Sequence, residues 1–244
     1  MVGNRLVQGL VLRRQPYREH DLVIGLFSRE EGYLELIARG ARKAGSKLAG
    51  HLEPFTLSEV MVIGGRNKDY AASAINSRAF LDIKTDLVKL ELAGQGLSFL
   101  LVFLRPGEKE PALFDLAVSS LEALEALESG SLALWGAWWR IAFQFRILVL
   151  SGYQPNFGTN CAACGKPLEA KTKYVFSLKD FCLYCQNCEQ KVDDRENLLT
   201  ISKNCVNIFH YLSGERRDIK SLKIGPLAIR EADRLISRMK EYII

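Results

Sequence analysis

Short apolar runs fill the first eighty positions, and leucine-marked periods of three and four residues take over after them. Leu6 to Leu12, Leu22 to Phe27, Tyr33 to Ala38, Phe55 to Ile63 and Tyr70 to Phe80 are rich in aliphatic or aromatic side chains. Turn signals at Gln15-Pro16, Glu31-Gly32 and Gly64-Gly65-Arg66-Asn67 separate them, so each run is expected to be a strand. Five strands with no long helix between them predict a small closed barrel of the OB type, a frequent platform for oligonucleotides. Fold alone does not give function.

From Thr85 the period changes. Leu87, Leu90, Gly94, Leu97, Leu101 and Leu104 predict a helix with Thr85 or Asp86 as N-cap, ended by Pro106-Gly107. Pro111 opens a second, with Leu113, Leu116, Ala117, Leu121, Leu124 and Leu127 on one face, and Ser129-Gly130-Ser131 breaks it. Leu132 to Leu150, carrying Trp135, Trp138, Trp139, Phe143 and Phe145, is apolar nearly all round and predicts a central bundle helix. These stripes are too short and end too sharply for a coiled coil. Gly152-Tyr153-Gln154-Pro155 leads into a cysteine-rich stretch, and Asp193-Asp194-Arg195-Glu196 reads as a solvated turn. Ser202 to Leu212 reads as helical, and Gly225-Pro226 starts a last helix with Ala228, Ala232, Leu235, Ile236 and Met239. The expected architecture is α+β and multidomain. A barrel spans 1–80, an α-helical domain spans 81–155 and 197–244, and a cysteine module is inserted at 156–196.

At 244 residues, 48% hydrophobic and 25% charged, the chain has the make-up of an ordinary globular protein. Arg5, Arg13 and Arg14 leave no apolar core for a signal peptide in Met1 to Gln15. Arg140, Gln144 and Arg146 interrupt the run nearest to a membrane span. A cytoplasmic protein with no membrane partner is expected. The net charge of +5 is compatible with polyanion binding, and where the charge sits matters more than its total.

Five of the six cysteines lie between Cys161 and Cys188. Two Cys-x-x-Cys turns separated by a hairpin-length gap can aim thiolates at one Zn²⁺ from ~2.3 Å. Cys161 and Cys164, followed by the turn-permitting Gly165, form the first pair. For the second, Cys182/Cys185 and Cys185/Cys188 have equal spacing, and spacing does not choose between them. Disulfides are disfavoured in a chain that is not small and secreted. A site closed by four thiolates is structural rather than catalytic. Tyr174, Phe176, Phe181 and Tyr184 around the cysteines are better suited to filling a small core than to stacking on bases.

The densest basic stretch, Arg39-Gly40-Ala41-Arg42-Lys43-Ala44-Gly45-Ser46-Lys47, falls between two expected strands with no acid before Glu53. A glycine-flexed loop of one sign can follow a phosphate backbone. It nearly imitates a P-loop, but Ser46-Lys47 reverses the required Lys-Ser/Thr order, so nucleotide hydrolysis is not expected. Gly94-x-Gly96 is a fragment of a dinucleotide fingerprint and reads as a helix-packing site. His20, His51 and His210 are dispersed, and no nucleophile–base or paired-carboxylate motif appears.

Gly9-Leu10-Val11-Leu12-Arg13-Arg14-Gln15-Pro16-Tyr17-Arg18-Glu19-His20-Asp21 resembles the first hairpin of the RecO recombination-mediator family. Phe27-Ser28-Arg29-Glu30-Glu31-Gly32, Ala38-Arg39-Gly40-Ala41-Arg42-Lys43, Leu52-Glu53-Pro54-Phe55, Gly152-Tyr153-Gln154-Pro155 and the Cys161-x-x-Cys164-Gly165 turn follow in that family's order. The resemblance implies an OB domain, a helical domain and a zinc finger, with no enzymatic activity. It also implies binding of single- and double-stranded DNA, annealing of complementary strands, and help for RecA, with RecR, in displacing single-strand-binding protein. The loop with Arg39, Arg42 and Lys43 is then the part of the barrel that contacts DNA. Aligning Phe176-Ser177 with the family's finger puts Phe181-Cys182 where glycines usually stand, which makes Cys185 and Cys188 the remaining ligands and Cys182 a departure.

A nucleoid-associated, cytoplasmic mediator holding one structural Zn²⁺ is therefore expected. Arg13, Arg14, Arg39, Arg42, Lys43, Lys47, Arg66 and Lys68 would form the basic face of the barrel. The rival readings are a protein-interaction adaptor built on the helices and a thiol redox protein using Cys182/Cys185.

Overall fold

The computed structural model describes residues 3–168, 173–190, 192, 194–214 and 225–244. Contacts divide the chain into two compact units, Met1–Phe143 and Gln144–Ile244.

In the first unit, β1 (Arg5–Tyr17), β2 (Asp21–Ser28), β3 (Gly32–Ala38), β4 (Thr56–Ile63) and β5 (Asp69–Arg78) close into a barrel of order β1-β2-β3-β5-β4. Only the β3–β5 pairing is parallel. β1 closes the barrel by serving two neighbours: Arg5 to Val11 pair with β4, and Gly9 to Tyr17 pair with β2 across an irregularity between Val11 and Arg13. Such a break bends a strand enough to carry it from one partner to the next. Val11, Ile24, Leu26, Leu36, Leu52, Val60 and Val62 fill the interior. β1 runs through the expected turn at Gln15-Pro16, and the chain reverses at Arg18 instead, with φ +53. Pro16 is tolerated because β1 has left β4 by then and is paired on one side only.

α1 (Leu81–Thr85), α2 (Leu87–Phe103) and α3 (Pro111–Glu125) follow, and α4 (Leu132–Leu150) spans the boundary between the units. Asp86 separates α1 from α2 by capping the backbone N–H groups of Val88 and Lys89 at 2.9 and 3.2 Å. The buried face of α2 differs from the expected leucine stripe. It comprises Lys89, Leu92, Ala93, Gly96, Leu97 and Leu100, together with Phe99, while Leu87 is 81% exposed. Lys89 can be buried because its Nζ donates to the Glu125 carbonyl at the end of α3, 2.8 Å away. Gly96, rather than Gly94, is the close-packing glycine: a Cβ there would meet the Phe143 ring at 2.8 Å, whereas Gly94 faces open space. The helices meet the barrel through the Phe27–Phe114 edge-to-face pair at 5.6 Å and the Arg29–Asp115 ion pair.

The second unit contains a three-stranded sheet of order β7-β6-β8, from β6 (Tyr174–Ser177), β7 (Cys182–Tyr184) and β8 (Leu198–Ile201). Its helices are α5 (Gln186–Glu189), α6 (Lys203–Leu212) and α7 (Pro226–Ile243). The Phe157 ring stacks on Phe209 at 4.3 Å and on Phe176 at 5.2 Å, with Phe145 against Phe209, and this column is the unit's core. Of the expected solvated turn, Asp193 lies outside the described residues, and Arg195 and Glu196 begin a short 3-10 turn. Among the described residues, no helix is long and apolar enough to cross a membrane.

Candidate metal centre and nucleic-acid interface

Two backbone knuckles present the cysteines. In the first, the Gly165 N–H donates to the Cys161 carbonyl at 2.9 Å, and Gly165 takes φ +68, which glycine adopts without strain. In the second, the Cys188 N–H donates to the Cys185 carbonyl at 2.9 Å at the start of α5. The Ala162 N–H, donating to the Leu183 carbonyl at 2.9 Å, stitches the first knuckle to β7. The sulfurs of Cys161, Cys164, Cys185 and Cys188 consequently lie within 4.8 Å of one another, and those of Cys164 and Cys185 are 3.9 Å apart. Four thiolates around a tetrahedral ion at ~2.3 Å would stand about 3.8 Å apart, so this donor set fits a metal ion and could bind zinc.

The electrostatics point the same way. Burial opposes a thiolate at Cys161, yet N–H groups of Cys185, Cys164 and Ala163 aim at its sulfur and hold the group down to about 6. The hydrogen bond to Cys185, with burial, pushes Cys188 up to about 12. Protons alone do not let four crowded sulfurs ionise together, and a central dication removes that conflict. Cys182 stays outside the group on β7, half-buried and shifted upward by burial. Cys205 is buried within α6. Tyr174 and Phe176 are buried and fill the interior, Phe181 is half-buried and packs edge-on against Phe176, and the half-buried Tyr184 donates its hydroxyl to Asp180. Phe181 takes φ +51 in the β6–β7 turn, a conformation that favours glycine.

A second constellation forms at one end of the barrel, where three connections meet. The β1–β2 turn is tied to the β3–β4 loop by the Arg42 N–H donating to the His20 carbonyl at 2.9 Å and the Gly40 N–H donating to Asp21 Oδ1 at 2.8 Å. The parallel pairing of Leu36 with Asp69 and Ile37 with Tyr70 brings the β4–β5 turn beside the same loop. Arg39 lies 4.2 Å from the centre of the Tyr70 ring, while Lys68 and Arg18 lie 5.6 and 5.2 Å from that of Tyr17. Among the described residues the Arg42 guanidinium donates only to the neutral Glu19 carbonyl. Arg39, Arg42, Lys43, Lys47, Arg66 and Lys68 are exposed, and among the described residues none of them is in an ion pair.

The remaining expected cations are held differently. Arg13 is paired with Glu35 at 2.5 Å and donates to the Tyr33 hydroxyl, and Arg14 lies 3.7 Å from Glu53. Sequence reasoning missed Tyr17, Arg18 and Tyr70. The available signal was an aromatic next to a cation at each of two turns, in Tyr17-Arg18 and in Lys68-Asp69-Tyr70.

A closed five-stranded OB-type barrel, a helical region and a four-cysteine cluster that could bind zinc define an α+β protein. Two family models match it: Recombination protein O N terminal over residues 4–75, and Recombination protein O C terminal over residues 84–242. The chain belongs to the RecO family. It is similar to the DNA repair protein RecO of Desulforamulus reducens, 28% identical over 239 residues that cover 98% of this chain and 89% of the relative. The DNA repair protein RecO of Thermoanaerobacter sp. is 26% identical over 237 residues, covering 97% and 91%. That of Rubrobacter xylanophilus is 32% identical over 158 residues, covering 65% and 61%.

Proposed function

We propose that the chain is a non-enzymatic recombination mediator in DNA repair. It binds single- and double-stranded DNA, anneals complementary strands and, with RecR, assists RecA in loading onto DNA coated by single-strand-binding protein. It works in the cytoplasm, at the nucleoid. The observation that carries the DNA-binding reading is the convergence of Arg39, Arg42, Lys43 and Lys68 at one barrel end without carboxylate partners among the described residues, and the family's name as a DNA repair protein supports the rest.

Each cation that neutralises a phosphate releases a condensed counterion, so affinity comes from the backbone and carries little sequence preference. The same cations, shared between two strands, screen the repulsion that opposes pairing, and annealing then needs no nucleotide hydrolysis. Lys47 and Arg66 flank the patch, while Arg13 and Arg14 contribute less because Glu35 and Glu53 already match them. Cys161, Cys164, Cys185 and Cys188 hold one structural Zn²⁺. With four protein thiolates there is no open coordination position, so the ion braces the knuckles and takes no part in DNA chemistry.

The test is anisotropy of a labelled oligonucleotide across a salt series, with the wild-type chain and an Arg39/Arg42/Lys43→Ala variant. The variant is expected to lose roughly 2 units of the log–log salt slope on single strands. Unchanged affinity and slope would overturn the assigned surface.

A further inference from the structure

The geometry points to Tyr70 and Tyr17 as a stacking subsite for unpaired nucleobases, covered in the free protein by Arg39, Lys68 and Arg18, which gives this barrel end a preference for single strands over duplex. The inference rests on the DNA-binding reading above and deepens it. Neither tyrosine belongs to the barrel core: both are half-buried on the rim, where the three connections meet. The turn is shaped to seat the Tyr70 ring, since a Cβ at Gly65 would come within 2.7 Å of Tyr70 Cε2 and 2.1 Å of the Lys68 carbonyl. What lies over each ring is a cation, Arg39 at 4.2 Å on Tyr70 and Arg18 and Lys68 at 5.2 and 5.6 Å on Tyr17.

A cation over a partly exposed ring is held less firmly than a base stacked on the same ring. The cation also has a better partner when a phosphate arrives, because a charge-assisted contact outweighs a ring quadrupole. Backbone binding therefore draws Arg39 and Lys68 aside and uncovers the faces on which bases can stack. A strand with free bases satisfies both halves of the exchange. A duplex satisfies only the first, because its bases are already stacked on one another. One rim thus contains the phosphate partners and the base partners a single strand needs, with Lys68, over the Tyr17 ring, only two positions along the chain from Tyr70.

The experiment compares three probes on the full chain: a single-stranded oligonucleotide, the same strand with abasic sites and equal phosphate count, and the blunt duplex. Wild type is expected to favour the intact strand over the abasic one by roughly fivefold to a hundredfold. Tyr70→Leu and Tyr17→Leu should shrink that ratio while leaving duplex affinity and salt slope in place, and Tyr70→Phe should preserve it. A ratio unchanged in both leucine variants would overturn the subsite while leaving DNA binding intact. Failure of wild type to retain any probe at low ionic strength would instead bring down the DNA-binding reading. Should the leucine variants not fold, photocrosslinking of iododeoxyuridine strands to the wild-type chain decides: adducts on Tyr70 or Tyr17 support the subsite, and adducts confined to other residues overturn it.

Discussion

The backbone N–H of Cys185 donates to the sulfur of Cys161 at 3.3 Å, so the second cysteine knuckle supports the charge on the first. This cross-knuckle bond accompanies the gathering of four sulfurs within 4.8 Å, and it identifies which cysteines act as a set. Cys182 and Cys205 lie outside that set, although Cys182 is three residues from Cys185.

Metal content should follow this grouping. Cys185→Ala and Cys188→Ala are each expected to lose the ion and loosen the segment from Cys161 to Gln190, because a structural site lacking one ligand gives up folding free energy along with the metal. Cys182→Ala and Cys205→Ala are expected to retain a full equivalent. Elemental analysis of the purified variants under reducing conditions checks this, and loss of metal from Cys182→Ala would reassign the second pair.

Two glycines of α2, two positions apart, should respond with opposite sign. Gly94→Ala adds a methyl into open space and relieves the backbone entropy of a helical glycine, a gain of about 0.5–1 kcal/mol. Gly96→Ala drives a methyl to within 2.8 Å of two atoms of the buried Phe143 ring, and overpacking of this kind costs about 1–3 kcal/mol. Urea unfolding midpoints of the two variants provide the measurement. A destabilised Gly94→Ala beside a tolerated Gly96→Ala would mean that α2 presents a different face.

That phase was hard to read in the sequence. α2 is apolar on most sides, so leucines at three- and four-residue steps could be drawn along more than one stripe, and Lys89 is buried only because the Glu125 carbonyl awaits its ammonium. The barrel was far more legible, since turn residues punctuate short runs rich in aliphatic and aromatic side chains. Pro16 misled only locally, at a place where β1 has a single neighbour. The cysteines could be narrowed by spacing to two choices, and the geometry separates Cys182 from the cluster. The basic loop was visible as a run of one sign, whereas its meeting with Tyr17, Arg18, Lys68 and Tyr70 depends on the closure of a barrel and the parallel β3–β5 pairing, which no local pattern encodes.

Asp86 predicts a pH dependence. The Ser129 hydroxyl and then the backbone N–H groups of Lys89 and Val88 bond its carboxylate and lower it below its ordinary value of 3.8. A folded-state value below the unfolded one stabilises the fold above the unfolded value, and the contribution is lost as pH falls through the folded one. Asp86→Asn keeps an oxygen for the cap but cannot ionise. Wild type should therefore exceed the variant in unfolding midpoint at neutral pH, with the gap narrowing as pH drops below 3.8. A gap that stayed constant with pH would show that the charge contributes nothing to the cap.

Arg13 and Arg42 carry the same charge on the same barrel and should behave differently toward DNA. The Arg13 guanidinium faces Glu35 at 2.5 Å and donates from Nε to the Tyr33 hydroxyl at 2.9 Å, so a phosphate would have to displace a carboxylate to reach it. The Arg42 guanidinium donates to the neutral carbonyl of Glu19 and, among the described residues, has no carboxylate matching its charge at the rim. Arg42→Gln is thus expected to reduce the salt slope by about 0.7 on single strands and about 0.9 on duplex. Arg13→Gln should leave the slope near that of wild type, since the lost cation was already neutralised by its own protein. Measuring both slopes with one oligonucleotide separates net charge from free charge. If the two variants lost equal slope, the ion pair to Glu35 would be opening on DNA, and the binding face would extend from the loop end down the wall of the barrel.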